Sequence, residues 1–256
     1  MKHPRDQFLT IYGRKPVMEI LQEKDLQVEK IFIAQKAKGD IIRQIIQQCE
    51  SKNIPIIRVS PDEVSRISKN PKQDQGVALD VHTPLFDHAK TYLKTAKDAS
   101  IHLLAVDGVT TPANVGMIIR NVSAFGFDGV IIPWKGSAKL NSLVIKASAG
   151  TLFKTTILRC ERLRPMLNIA KENGFQVISL EGEAKDSIYD LPFASRSIFV
   201  LGNETQGVSD SIAEIADQRA FIPMSNGVES LNVACASAVI GSELARRRSI
   251  PPKKRK

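Results

Sequence analysis

Four short runs, IHLLAV, GVIIP, FQVISL and SIFVLG, are apolar at nearly every position rather than at alternate ones. A strand with one face in water alternates apolar and polar residues. A continuous run belongs to a strand covered on both faces. Between the runs lie segments of helical period: ANVGMIIRNVSAF, LNSLVIKASAG, ERLRPMLNIAKEN and SLNVACASAVIGSELARRR. KTTIL is a weaker strand candidate. Buried strands alternating with helices predict a mostly parallel α/β sheet with helices on both faces, over residues 101–249. Ligands of such sheets bind beyond the carboxyl ends of the strands, so candidate chemistry is sought there.

A smaller unit precedes it over residues 8–82. A helix opening at Pro16 leads to a strand VEKIFIA, a helix IIRQIIQQCE, a strand IPIIRV, a short helix and a strand GVALDV. The short helix has a strong start signal in Ser60, Pro61 and Glu63: a capping hydroxyl, a first-turn proline and a first-turn acid. Residues 83–100 are polar with an early proline and read as a linker, partly helical. Residues 250–256 read as a basic tail, and the arginines of ARRRS are grouped with it as disordered.

The formal net charge of +9 favours a polyanionic partner, although part of that excess sits in the tail. MKHPRDQF lacks the apolar core of a signal peptide, and no window suits a membrane span, so a cytoplasmic protein is expected. Cys49, Cys160 and Cys235 are far apart and form no CxxC pair. They read as reduced structural residues, not a disulfide framework or a zinc site. His3, His82, His88 and His102 form no ligand spacing and read as surface or linker residues.

Three segments of the larger domain carry candidate chemistry. In DGVTTPANVGMIIRNVSAFG, the residues Val115, Ile118, Ile119, Val122 and Phe125 share one helix face. Arg120 points away from it, beside Gly116, Ser123 and Ala124, and is the one ionisable residue of that helix. A lone arginine among small residues fits close approach by a ligand, and equally an ordinary pair with a carboxylate. The wheel does not separate the two. In SIFVLGNETQGVSD a strand runs into a glycine-bounded loop, with Glu204 at the strand's carboxyl end and a helix expected near Val208. Neither GxGxxG nor GxxxxGK[ST] is present, which argues against dinucleotide and nucleoside triphosphate sites. In AFIPMSNGVESLNVACASAVIGSEL a short strand at Phe221-Ile222-Pro223 precedes a turn at Asn226-Gly227. Ser230 is a candidate helix cap, with Asn232 in the first turn. From Leu231 to Ser242 this helix carries no charge and is rich in small residues, as a helix buried all round would be, whether at an interface within the domain or between subunits.

Taken in this order, the three segments resemble the SpoU (TrmH-like) class of RNA 2′-O-methyltransferases in the SPOUT superfamily. The stretch from IYGRKPVMEIL to DQGVALDV is similar to the L30e-like RNA substrate-binding domain that accompanies many members. The layout is closest to the 23S rRNA guanosine 2′-O-methyltransferases. The resemblance implies a trefoil-knotted methyltransferase fold, which periodicity would not suggest. It also implies S-adenosylmethionine as cofactor, an RNA substrate (rRNA in the first place, tRNA as the alternative), a homodimer, and no metal. Residue by residue it implies Asn114, Arg120, Glu204, Ser230 and Asn232 as catalytic positions, with Leu201, Gly202, Ile222, Met224 and Leu231 contacting the cofactor. Three places depart from the family's habits: Asp74-Gln75-Gly76 where HQG is frequent, Asn203 where a small residue precedes the glutamate, and TLFKTT after Gly150.

The implied reaction is in-line attack of a ribose 2′-hydroxyl on a sulfonium methyl. Arg120 would act as a general base or as a group that positions ribose and phosphate, with Asn114 and Glu204 holding it and the nucleotide. Ser230 and Asn232 would shape the floor of the pocket. The rival reading is a non-catalytic RNA-binding protein of the same fold.

Overall fold

The computed structural model describes residues 8–23, 26–82 and 86–249, so His3 and the tail lie outside the described residues. The chain divides into two compact units. The first carries β1 (Phe8–Tyr12), α1 (Arg14–Gln22), β2 (Val28–Ala34), α2 (Asp40–Ser51), β3 (Ile56–Val59), α3 (Pro61–Ser68) and β4 (Val77–His82). Its sheet runs β1-β4-β2-β3, with β4 antiparallel to both neighbours and β3 parallel to β2. At the start of α3, Ser60 accepts the N–H of Glu63 at 3.2 Å and Pro61 stands first, as the start signal implies. Asp74 explains one departure from the family habit. It is buried and accepts hydrogen bonds from Ser65 (2.9 Å), Ser68 (3.1 Å) and the N–H of Gly76 (2.9 Å), so it pins the turn before β4. The strand β1 was absent from the sequence reading. It is five residues long, and its partner β4 lies some seventy positions on.

The second unit follows. The expected linker carries β5 (Phe86–His88) and α4 (Ala89–Thr95), and β5 adds to the edge of the main sheet beside β8. Then come β6 (Ile101–Val106), α5 (Pro112–Phe125), β7 (Gly129–Pro133), α6 (Ser142–Ala147), a single 3₁₀ turn (Thr151–Lys154), β8 (Ile157–Cys160), α7 (Leu163–Glu172), β9 (Gln176–Leu180), β10 (Asp186–Ser187), β11 (Arg196–Leu201), α8 (Asp210–Ala213), β12 (Gln218–Phe221) and α9 (Val233–Ser249). The single helix expected over LNSLVIKASAG is broken, because Ala149 and Gly150 adopt positive φ. Leu140–Lys146 clusters with the first unit. The main sheet is parallel throughout, in the order β10-β12-β9-β11-β6-β7-β8-β5. Every residue of β6 and β7 is buried, which is why their sequences do not alternate. Each buried Leu, Ile or Val contributes about 1.5–3 kcal/mol, so these central strands dominate the core.

α5 and α9 lie against each other. Asn121 donates to the carbonyl of Ala234 and the hydroxyl of Ser237, both at 2.8 Å. Gly241 faces Phe125 so closely that a Cβ there would sit 2.6 Å from the ring. Small residues on α9 thus allow the helices to touch on one side. Within this chain only one side is covered, and the face that a subunit interface would need stays open: Cys235 and Ser242 are exposed, and Ala238 and Val239 half-buried. Ala238, Val239 and Ser242 line a concave surface with Phe125, Tyr189, Glu243 and Arg246.

The arginines after Leu244 are helical and engaged rather than part of a disordered tail. Arg246 and Arg247 both bond the buried carboxylate of Glu243, at 2.7 and 2.6 Å. Arg247 also donates to the carbonyls of Ile188, Tyr189 and Leu191 and stacks on Phe193, clasping that loop. Arg248 pairs with Asp128 at 3.2 Å. Cys49 and Cys160 are buried free thiols, pushed up to about 11 by burial, while Cys235 is exposed.

His102 is buried, not a surface residue. Burial first, and the Arg248 cation second, lower its pKa to about 4, against the opposing pull of Asp128. Its neutral form is therefore favoured by folding. Between the unfolded value near 6.5 and about 4, the unfolded chain binds the extra proton. Stability should fall as pH drops through that window. Thermal melts of a His102→Leu variant should lose that segment of the pH profile. An unchanged slope would remove His102 as its source.

Candidate active site

β11 and β12 end on the same rim of the sheet, and the cleft opens beyond their carboxyl ends. After Leu201 the backbone enters the loop Gly202–Gly207. Asn203 and Gly207 close it with two backbone hydrogen bonds of 2.9 and 2.8 Å. Asn203 does more than fill a place usually held by a small residue. Its Oδ1 accepts the N–H of Thr205 at 2.8 Å, and its Nδ2 donates to the carbonyl of Gly108 at 2.9 Å. The loop is thereby tied to the turn that follows β6. Gly202 has no room for a side chain, since a Cβ would land on the carbonyl group of Gly207 and the nitrogen of Val208.

The cleft holds about 540 Å³. Leu201, Gly202, Ile222, Met224 and Leu231 all line it, as do Glu204 and Ser230. The three chain segments singled out in the sequence converge through Asn114. This side chain is buried near the start of α5. Its Nδ2 donates to the carboxylate of Glu204, and its Oδ1 accepts from Asn232 at 3.3 Å. Asn232 also caps α9, accepting the N–H of Ala234 at 2.9 Å through its side chain and that of Ala236 through its carbonyl. The cap is Asn232 rather than Ser230, because α9 begins at Val233. Ser230 is left facing the cleft.

Arg120 stands apart. It is exposed, and no hydrogen bond or ion pair joins it to another described residue. The carboxylate-pair alternative therefore finds no partner among the described residues, and neither Asn114 nor Glu204 holds Arg120. The geometry of α5 accounts for this. Six positions separate Asn114 from Arg120, which puts them about 120° apart around the helix. The face that carries Asn114 also carries Asn121 and meets α9.

Four carboxylates of the cleft, Glu181, Glu183, Asp210 and Glu229, were missed in the sequence. Glu181 follows β9 at the same sheet edge, where the rule that located Glu204 could have found it. Glu229 lies in a loop with no such signal. Among the described residues, no group of three or more histidine, cysteine or acidic side chains could hold a metal ion, and no helix is long and apolar enough to cross a membrane.

A parallel α/β domain with a glycine-tight cleft at its carboxyl rim is the layout of a ligand-binding α/β domain, a class that hosts many activities. Family models narrow it. The SpoU rRNA methylase family matches residues 102–242, and the RNA 2′-O ribose methyltransferase substrate-binding domain matches residues 10–86. An uncharacterised tRNA/rRNA methyltransferase of Mycolicibacterium vanbaalenii is 32% identical over 241 residues, covering 93% of this chain and 76% of that protein. The chain belongs to the SpoU family of RNA methyltransferases. Among solved structures, the SpoU methyltransferase AviRb of Streptomyces viridochromogenes, crystallised with AdoMet, shares the fold at TM-score 0.70 and 21% identity, with 95% of this chain and 92% of that one covered. A putative TrmH-family RNA methyltransferase of Porphyromonas gingivalis superimposes at TM-score 0.69 with 27% identity, covering 95% and 91%.

Proposed function

We propose that this protein transfers a methyl group from S-adenosylmethionine to a ribose 2′-hydroxyl of RNA, in the first place a guanosine of 23S rRNA, with tRNA as the alternative substrate. The observation that carries the reading is the convergence of Asn114, Glu204 and Asn232 beside a cleft whose wall at Gly202 tolerates no side chain. The cleft's donor set fits the cofactor. Leu201, Ile222, Met224 and Leu231 offer apolar cover for a purine, Glu181 and Glu229 offer carboxylates to hydroxyl and cationic groups, and Gly202 lets backbone approach closely. When bound, S-adenosylmethionine supplies an electrophilic methyl on a sulfonium.

The protein's own part is to bind, orient and hold. Asn114 fixes the Glu204 carboxylate, and Asn232 fixes Asn114 while it caps α9. Glu204, held in this way, and Ser230 then face the nucleotide. Arginine is effectively always protonated in proteins, so Arg120 holds RNA phosphate and ribose by paired, charge-assisted hydrogen bonds instead of removing a proton. The hydroxyl proton passes to an RNA phosphate oxygen. The outer face of α9 at Ala238, Val239 and Ser242, with Phe125 and Tyr189, is the surface on which a second copy would form the homodimer. We place the protein in the cytoplasm, where its substrate RNA is found.

Methyl transfer from tritiated cofactor to total RNA, followed by mapping of alkali-resistant positions with and without the protein, tests the reading. Label in bases, or no label at all, would defeat it. RNA affinity should also fall steeply with salt, because lysine and arginine contacts release condensed counterions. A slope near zero in log Kd against log salt would contradict a phosphate-dominated interface.

A further inference from the structure

Trp134 is the chain's only tryptophan, and 42% of its surface is exposed at the carboxyl end of β7. Its ring is nevertheless held in place. The guanidinium of Arg159, a buried residue of β8, lies 3.9 Å from the ring centroid, and the Trp134 N–H of the backbone donates to the carbonyl of Cys160 at 2.8 Å. A cation covers one face, so the exposed surface is the opposite face and the edge. A flat ring fixed from behind and open in front is pre-organised to stack.

Its position relates it to the cleft. Sheet order places β7 two strands from β11, with carboxyl ends pointing the same way. At about 4.8 Å per strand the separation is roughly 10 Å. The loop after β7 is bonded into the same rim: Ala138 donates to the carbonyl of Val109, and Asn203 to that of Gly108, both at 2.9 Å. Trp134, the turn after β6 and the loop at Gly202 thus form one continuous edge.

The surroundings identify the partner. An interface for another protein calls for a contiguous apolar patch. Trp134 is instead flanked by Lys135, Gly136 and Lys139, with Glu161 paired to Lys135 at 2.9 Å. A lone aromatic ring among cations is the arrangement that stacks nucleic-acid bases while tracking the backbone. We propose that Trp134 is a stacking platform for an unpaired base of the substrate RNA, a neighbour of the nucleotide that receives the methyl. The proposal rests on the reaction proposed above. It adds that the substrate is single-stranded where it crosses β7.

Because Trp134 is the only tryptophan, its emission reports on the site without labelling the protein. Wild-type protein is titrated with a dye-labelled single-stranded RNA dodecamer of mixed sequence, and with the same strand annealed to its complement. The single strand should quench Trp134 emission in step with the rise in anisotropy, and the duplex should quench it far less. Trp134→Ala and Trp134→Leu should each raise the apparent KM for total RNA roughly tenfold, with kcat and cofactor affinity little changed. The leucine keeps apolar cover over Arg159, so an equal loss in both variants separates a missing stack from a disturbed fold. Trp134→Phe, which keeps a π face, should recover most of the affinity. Binding of the single strand without quenching, or a leucine variant with wild-type KM, overturns the stacking role and leaves the reaction standing. A wild-type protein that methylates no RNA overturns the proposed reaction, and this proposal with it.

Discussion

Gly202→Ala is expected to abolish S-adenosylmethionine binding and to lower the melting temperature. The new methyl would occupy the space of the Gly207 carbonyl and the Val208 nitrogen, which are backbone atoms and cannot rotate aside. Those atoms belong to a loop closed by the paired bonds of Asn203 and Gly207 and anchored through Asn203 to Gly108. The loop must open for the methyl to fit, and opening it deforms one wall of the cleft. Overpacking costs about 1–3 kcal/mol where side chains can yield, and a backbone obstacle should reach the upper end, a drop of roughly 5–10 °C. Gly182→Ala is the control. It lines the same cleft, yet its nearest neighbour, the Glu229 carbonyl, would be at an ordinary 3.5 Å. Calorimetric titration with S-adenosylmethionine should show no heat for the Gly202 variant and near-normal heat for the Gly182 variant. Retained binding in Gly202→Ala would mean that the cofactor lies elsewhere.

Arg120→Ala should reduce methyl transfer by about 100-fold or more while cofactor affinity and melting temperature stay at wild-type values. No contact would be lost within the fold, because Arg120 is exposed and makes no bond to another described residue. Its whole effect should fall on substrate RNA. Arg120→Lys keeps the charge but loses the planar fork, so it should recover little if paired hydrogen bonds are what matters and much more if charge alone matters. Single-turnover measurements on a defined RNA would separate these cases. Turnover near wild type in the alanine variant would remove Arg120 from the reaction.

The residues differ in how far they could be read without coordinates. The central strands were legible because burial on both faces leaves a continuous apolar signature, as in IHLLAV and GVIIP. The start of α3 was legible because Ser60, Pro61 and Glu63 act locally. What depended on distant partners was not. β1 and β5 are short, and each finds its neighbour some seventy residues away. Arg246, Arg247 and Arg248 look like tail residues until Glu243 and Asp128 are placed beside them. The site shows the same division. Arg120 stood out from its own helix. Glu204 was marked by its place at the end of a strand and Asn232 by its place in a first turn, but Asn114 and the link among the three came only through family resemblance, because the bonds among them span 90 and 118 positions. Capping was assigned to Ser230 from local preference, and the true start of α9 moved it to Asn232.

The walls of the cleft are drawn from Leu180 through Ala236. A ribosome makes these segments in order, and the cleft needs the last of them as much as the first. The substrate-binding unit's sheet, by contrast, is complete once His82 has been made. During synthesis the strands of that smaller sheet are therefore all made well before the last wall of the cleft, at Ala236, leaves the ribosome.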